Sequence, residues 1–169
     1  MPLDAKLTEK ITSSSEHATI IDRIGIFGAR YLIFVMIGST LLWIWRFAQS
    51  NSRLLRTIEL SVTVTLAWLV TLALEYLIKR PRPYEVGDSE PLISMWVHTP
   101  SFPSAHATIA FAVAGMVFWH QKPAGIILLI LAALVAYSRV YVGVHYPTDV
   151  LAGALVGFVV SWLVHLVFK

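Results

Sequence analysis

The chain has no cysteine. Disulfides, thiolate nucleophiles and cysteine-held metals are therefore excluded. Charge is scarce as well: 14% of residues are charged, against ~25% in a soluble domain. Hydrophobic residues make up 57% and the mean hydropathy is +0.71, the composition of an integral membrane protein. Six histidines are present, yet no His-x3-His or His-Glu-x2-His spacing occurs, so neither a metal nor another cofactor is expected. The first twenty residues are polar and mixed in charge (Asp4, Lys6, Glu9, Lys10, Glu16) and lack an apolar run before small residues, so no signal peptide is expected. Internal repeats and low-complexity stretches are missing too, and no nucleic-acid partner is expected.

What is present is a series of apolar runs. At 169 residues one domain is the default: a polar segment over 1–23 and a transmembrane core over 24–169. A span needs ~20 mostly apolar residues. The pattern predicts an all-α polytopic membrane bundle of about five helices, over Tyr31–Phe47 with Ile24–Arg30 leading in, Thr57–Ile78, Ser104–Trp119, Ala124–Tyr141 and Val150–Phe168. Prolines 81 and 83 end the second run. The link His120-Gln121-Lys122-Pro123 is short enough to make an antiparallel hairpin of the third and fourth. Gly153 and Gly157 give a Gly-x-x-x-Gly spacing, read equally as a dimer face or as packing within the chain.

Counting five spans gathers three breaks on one face. They carry Lys79, Arg80 and Arg82; Ser104 and His106; and Arg139, His145 and Asp149. These are phosphate-binding or proton-transferring groups, and ionisable groups at a membrane segment's edge are costly unless they have a task. Pro147 suits a first helical turn, so a helix starting there brings Asp149 to one imidazole nitrogen of His145 and leaves the other free. Arg139 offers a planar guanidinium to a phosphate. The opposite face holds Arg46, Arg53, Arg56, Lys122 and Lys169, with Glu59 the only acid nearby, so it reads as cytoplasmic and the cluster, with the N-terminus, as outward-facing.

Together these residues resemble the type 2 phosphatidate phosphatase family of the acid phosphatase and vanadium haloperoxidase superfamily. Its motifs are Lys-x6-Arg-Pro, Pro-Ser-Gly-His and Ser-Arg-x5-His-x3-Asp. The third is met in full by Ser138, Arg139, His145 and Asp149; the second reads Pro103-Ser104-Ala105-His106; the first keeps Arg82-Pro83 but has Glu75 where the family has lysine. The resemblance implies a haloperoxidase-like helical core and a metal-free membrane phosphatase. His145 is then the nucleophile, Asp149 its partner, and His106 the acid and later the base. Arg82, Ser104, Arg139 and the backbone at Ala105 bind the phosphoryl oxygens, with Lys79 or Arg80 making good the missing lysine charge. From its spacing at the end of the second run, Glu75 is expected to pair with Lys79 or with an arginine of the pocket. The run Glu75–Pro83 is most similar to bacitracin-resistance-type undecaprenyl pyrophosphate phosphatases, which act at the outer face of the bacterial cytoplasmic membrane.

The expected partners are thus the bilayer and a lipid phosphate. The competing substrate is phosphatidate or phosphatidylglycerophosphate. A non-catalytic lipid-phosphate binder or transporter would need only the cations, not His106, His145 and Asp149. His17, His98, His120 and His165 have no partner at a useful spacing and read as structural or solvated, and Arg80 as an interfacial anchor.

Overall fold

The computed structural model describes residues 3–12, 20–87, 90–94 and 99–169. Eight helices run α1 (Leu3–Thr12), α2 (Ile20–Arg30), α3 (Leu32–Phe47), α4 (Arg53–Ile78), α5 (Pro83–Val86), α6 (Ala105–His120), α7 (Lys122–Tyr141) and α8 (Pro147–Phe168). The serines at 13–15, His17, His98 and the apolar residues at 95–97 lie outside the described residues.

Helix α6 is the axis of the bundle; α3, α4, α7 and α8 all pack on it. Its composition explains this. Ala107, Ala110, Ala112, Val113, Ala114, Gly115 and Met116 are buried right round the helix, and small side chains let neighbouring backbones close in. The Gly-x-x-x-Gly pair of α8 settles into this surface. A Cβ on Gly157 would lie 2.0 Å from the Thr108 carbonyl oxygen, and one on Gly153 would lie 2.8 Å from that of Ser104. The pair is therefore packing within the chain.

Among the described residues α4, α7 and α8 are long and apolar enough to cross a membrane. Helices α2 and α3 pass the same test only as a pair, bent by 56° at Tyr31. Neither proline nor glycine occupies that break, and for that reason the sequence suggested one run with a lead-in. Helix α6 is apolar but has 16 residues, about 24 Å. The architecture is thus all-α with three to four membrane-length helices and a shorter central one. The third to fifth predicted spans match α6, α7 and α8 to within three residues at each end, and Pro147 does open α8. Helix α4 begins four residues earlier than expected, at Arg53.

The N-terminal helix, in the segment read only as polar, reaches the end of the bundle where the three breaks meet. Thr12 Oγ1 donates to the Val140 carbonyl at 3.4 Å, and Asp4 contacts Arg80 and Thr148. Helix α2 is tied to α7 by the Tyr141 hydroxyl, which donates to Asp22 Oδ1 at 2.8 Å.

Candidate active site

The three breaks converge as the sequence suggested. His145 lies in the turn between α7 and α8 and is 2% exposed. Its Nδ1 is 2.8 Å from the Ser101 carbonyl oxygen. A carbonyl only accepts, so Nδ1 carries the proton and Nε2 presents a lone pair. That Nε2 faces Arg82 Nη1 at 3.4 Å. Burial, with Arg139 and Arg82 adding to it against the pull of Asp149, pushes the imidazole down to about 4. A neutral ring with a free lone pair is the form of imidazole that can act as a nucleophile.

Asp149 was expected to hold His145 directly. The structure brings them near, with Nδ1 3.6 Å from Oδ2, but the hydrogen bond goes elsewhere. Oδ2 accepts from the Ser101 hydroxyl at 2.5 Å and from the Tyr146 amide at 2.9 Å, while Oδ1 accepts from Arg80 Nη1 at 2.6 Å. Ser101 joins the two residues: its hydroxyl serves Asp149 and its carbonyl serves His145. No spacing rule singles it out, since Ser101 and His145 are 44 positions apart.

Arg80 is more than an interfacial anchor. One nitrogen holds Asp149, the other donates to Asp4 Oδ2 at 2.6 Å, and the guanidinium stacks over Tyr146 at 3.9 Å. Thr148 adds its hydroxyl to the same Asp4 oxygen at 2.5 Å. These hydrogen bonds hold the Asp4 carboxyl below its ordinary range, despite the opposing effect of partial burial. Arg82 laces the loops together, donating to the Thr99 carbonyl (2.8 Å), the Thr99 hydroxyl (2.9 Å) and the Val144 carbonyl (3.0 Å). Burial lowers its affinity for a proton, offset in part by Tyr84, Glu75, Glu85 and Asp149.

Ser104 stands at the N-cap position of α6, and its buried hydroxyl makes no capping bond and has no hydrogen-bond partner among the described residues. Its amide donates to the Asp149 carbonyl at 3.1 Å, which fixes α6 against α8. Beyond it, Ala105 and His106 stand in a first helical turn, where amides lack partners within the helix and suit an anion. His106 is half-buried and close enough to Arg139, His145 and Arg82 to interact with them electrostatically. Arg139 is 2% exposed and donates from Nη1 to the Ala29 carbonyl at 3.0 Å.

Of the two expected partners of Glu75, Lys79 does not pair with it. Lys79 ends α4 in the left-handed conformation (φ 49°), which turns its ammonium over the Tyr76 ring at 5.1 Å. Glu75 is 6% exposed and has no hydrogen-bond or ion-pair partner among the described residues; its nearest influence is on Arg82. It therefore borders the site, and the pocket arginine Arg82 acts on it by charge without a direct ion pair.

The sequence profile of the PAP2 superfamily matches residues 56–169, which include every motif residue above. The chain belongs to the PAP2 superfamily. Over 163 residues it is 31% identical to the Escherichia coli K12 protein YbjG, covering 93% of this chain and 78% of that one. It is 29% identical over 161 residues to the undecaprenyl-diphosphatase BcrC of Bacillus subtilis, covering 95% and 82%. The crystal structure of Aquifex aeolicus LpxE superposes with a TM-score of 0.74 at 26% identity, covering 98% of this chain and 96% of that one. This PAP2 chain is thus a membrane lipid phosphatase built on the superfamily's helical core.

At the far end of the bundle the histidines thought to be without partners have one. His120 Nε2 lies 2.9 and 3.0 Å from the two carboxylate oxygens of Glu59, and His165 Nδ1 lies 3.9 Å from one of them. This corrects the reading of His120 and His165 as isolated. Spacing along one helix fails here because the three residues come from α4, α6 and α8.

Proposed function

We propose that this PAP2 phosphatase removes the terminal phosphate of undecaprenyl diphosphate. One observation supports the mechanism: His145 Nδ1–H donates a hydrogen bond to the Ser101 carbonyl, which leaves the Nε2 lone pair facing Arg82. Nε2 attacks the terminal phosphorus. The P–O anhydride bond breaks and the lipid monophosphate departs with the electron pair, its oxygen protonated by His106 where the leaving group needs a proton. A water then attacks the phosphohistidine, His106 takes its proton, and the P–N bond breaks to release orthophosphate. Splitting one displacement into two is what a histidine nucleophile provides. Arg82, Arg139, Ser104 and the amides of Ala105 and His106 carry the charge of the phosphoryl oxygens, a task that needs positioning and electrostatics more than a metal.

The substrate assignment leans on the kinship to BcrC over 95% of the chain. Glu75 supports it: a buried carboxyl within the field of Arg82 suits contact with the second phosphate of a diphosphate through that guanidinium. The reading includes a single domain over 1–169 that crosses a bacterial cytoplasmic membrane five times, with the pocket outward. The basic residues Arg46, Arg53, Arg56 and Lys122 at the other end support that orientation.

The test is phosphate release by the purified protein from a panel of lipid diphosphates and monophosphates, with and without chelator. The expected result is turnover favouring the polyprenyl diphosphate, inhibited by vanadate and indifferent to chelator during the assay. Multiple turnover in purified His145→Ala would remove the nucleophile assignment.

A further inference from the structure

The end of the bundle away from the pocket holds a second constellation that phosphate chemistry does not use. Glu59 of α4, His120 of α6 and His165 of α8 each offer one ligand atom, and these atoms lie within 4.8 Å of one another. The Glu59 side chain is fully buried; the His120 and His165 side chains are 15% and 17% exposed. His165 Nδ1 is buried and has no hydrogen-bond partner among the described residues. Its ring is nevertheless fixed, stacked at 25° on Trp119 and edge-on to His120 at 4.9 Å. A buried ring nitrogen held so firmly, with a carboxylate and a second imidazole beside it, calls for an explanation.

We propose that Glu59, His120 and His165 form a binding site for one divalent transition-metal ion of zinc type, which clamps α4, α6 and α8 together. Two imidazoles and one carboxylate are a donor set that zinc takes readily, with a water completing four-coordination. The cluster already attracts a cation. Arg56 Nη1 donates to Glu59 Oε2 at 2.7 Å and to the Phe168 carbonyl at 3.3 Å, and lies 3.1 Å from His120 Nε2. Its Nη1 touches two of the three residues that would hold the ion, Glu59 and His120. Arg56 is 23% exposed, so it has a way out to solvent. Metal binding is then an exchange of cations. Arg56 withdraws, the proton on His120 moves from Nε2 to Nδ1, and the lone pairs of His120 Nε2 and His165 Nδ1 join one Glu59 oxygen on the ion. The proposal does not depend on which lipid phosphate is hydrolysed.

The consequence reaches the other end. Counting sixteen positions along each helix from Glu59, His120 and His165 leads to Glu75, Ser104 and Asp149. At 1.5 Å per residue that is about 24 Å. The clamp therefore joins the three helices whose far ends frame the pocket, and fixes their relative height.

The test uses the full chain in detergent micelles, purified through a tag without histidine and washed with chelator. Cobalt is titrated by its visible absorption, zinc by competition against it, and bound metal is counted by mass spectrometry. One equivalent of metal per chain is expected, with the intense absorption of a four-coordinate cobalt site. Arg56→Gln, which removes the competing cation, tightens binding about tenfold. His165→Gln, which keeps a polar side chain of moderate size at a partly exposed position, weakens it at least about 100-fold, and Glu59→Gln does the same. Zinc raises the thermal midpoint of the wild-type chain and not that of His165→Gln. Should neither wild type nor Arg56→Gln bind one equivalent, the proposal falls. It falls equally if binding survives in a His165→Gln protein that elutes as the wild type does.

Discussion

At one end of the bundle a neutral histidine lies buried among arginines, with its carboxylate 3.6 Å away and occupied by other donors. At the other end a histidine meets its carboxylate directly at 2.9 Å, and the arginine joins the same contact. The two ends draw on the same residue types. The difference is where the positive charge goes. Around His145 the arginines are bound to backbone carbonyls and to Asp149, so the imidazole keeps its lone pair. Around Glu59 the arginine neutralises the carboxylate itself. The first arrangement has charge left over for a phosphate; the second is closed on itself until a stronger cation displaces the arginine.

The sharpest way to break this contrast is one substitution at each end. His145→Ala is expected to reduce turnover by at least about 10³-fold, with little change in the thermal midpoint. Glu59→Gln is expected to cost about 1–3 kcal/mol of stability, because it removes the charged acceptor shared by the partly exposed Arg56 and His120. Purified variants assayed for phosphate release and for thermal unfolding separate the two. A large stability loss in His145→Ala with residual turnover would erase the distinction.

Arg80 comes next. It has no place in the family motifs, yet it holds Asp149 at 2.6 Å. Arg80→Gln is expected to lower kcat about 10- to 100-fold, the worth of one charged hydrogen bond, with a smaller change in KM. Arg80→Lys should restore part of it. An effect confined to KM would make Arg80 a substrate contact instead. Glu75→Gln is a smaller change: about tenfold lower turnover on a polyprenyl diphosphate, about 1.4 kcal/mol, and less on a monophosphate. Equal effects on both substrates would leave Glu75 a local charge balance.

The smallest effect is in pH dependence. With the imidazole pushed down to about 4, kcat/KM keeps its free base down to about pH 5 and falls only near 4. An ordinary histidine would lose activity near 6.5. The sign for stability follows from the same shift. Between about 6.5 and 4 the unfolded chain binds the proton and the folded one does not, so stability declines as pH falls through that window. An acid limb near 6.5 would mean that His145 is far less buried than its surroundings imply.

Much of the architecture was legible in the chain. Pro81, Pro83, Pro123 and Pro147 punctuate the apolar runs, and hydropathy does the rest. The motif residues could be gathered at one end because counting crossings is enough to say which breaks share a face. What escaped was every contact between distant segments that follows no period. Ser101 reaches His145, Asp4 reaches Arg80 across 76 positions, and Glu59 reaches His120 across 61. Each depends on how helices are rotated against one another, which periodicity along one helix does not reveal. Lys79 escaped for a local reason: a left-handed residue at the helix end sends its side chain away from the face that i, i+4 spacing assigns to it.

The sixteen-position interval between the two clusters has a consequence for the lipid. About 24 Å separates them, whereas the hydrocarbon layer of a bilayer is ~30 Å thick. If the Glu59 cluster, beside Arg56, Lys122 and Lys169, stands at one boundary of that layer, the pocket ends of α4, α6 and α8 fall short of the other. On the proposed reading the floor of the pocket would then lie lower than the surrounding headgroups, and a polyprenyl tail would remain in the leaflet while its phosphates enter a polar well.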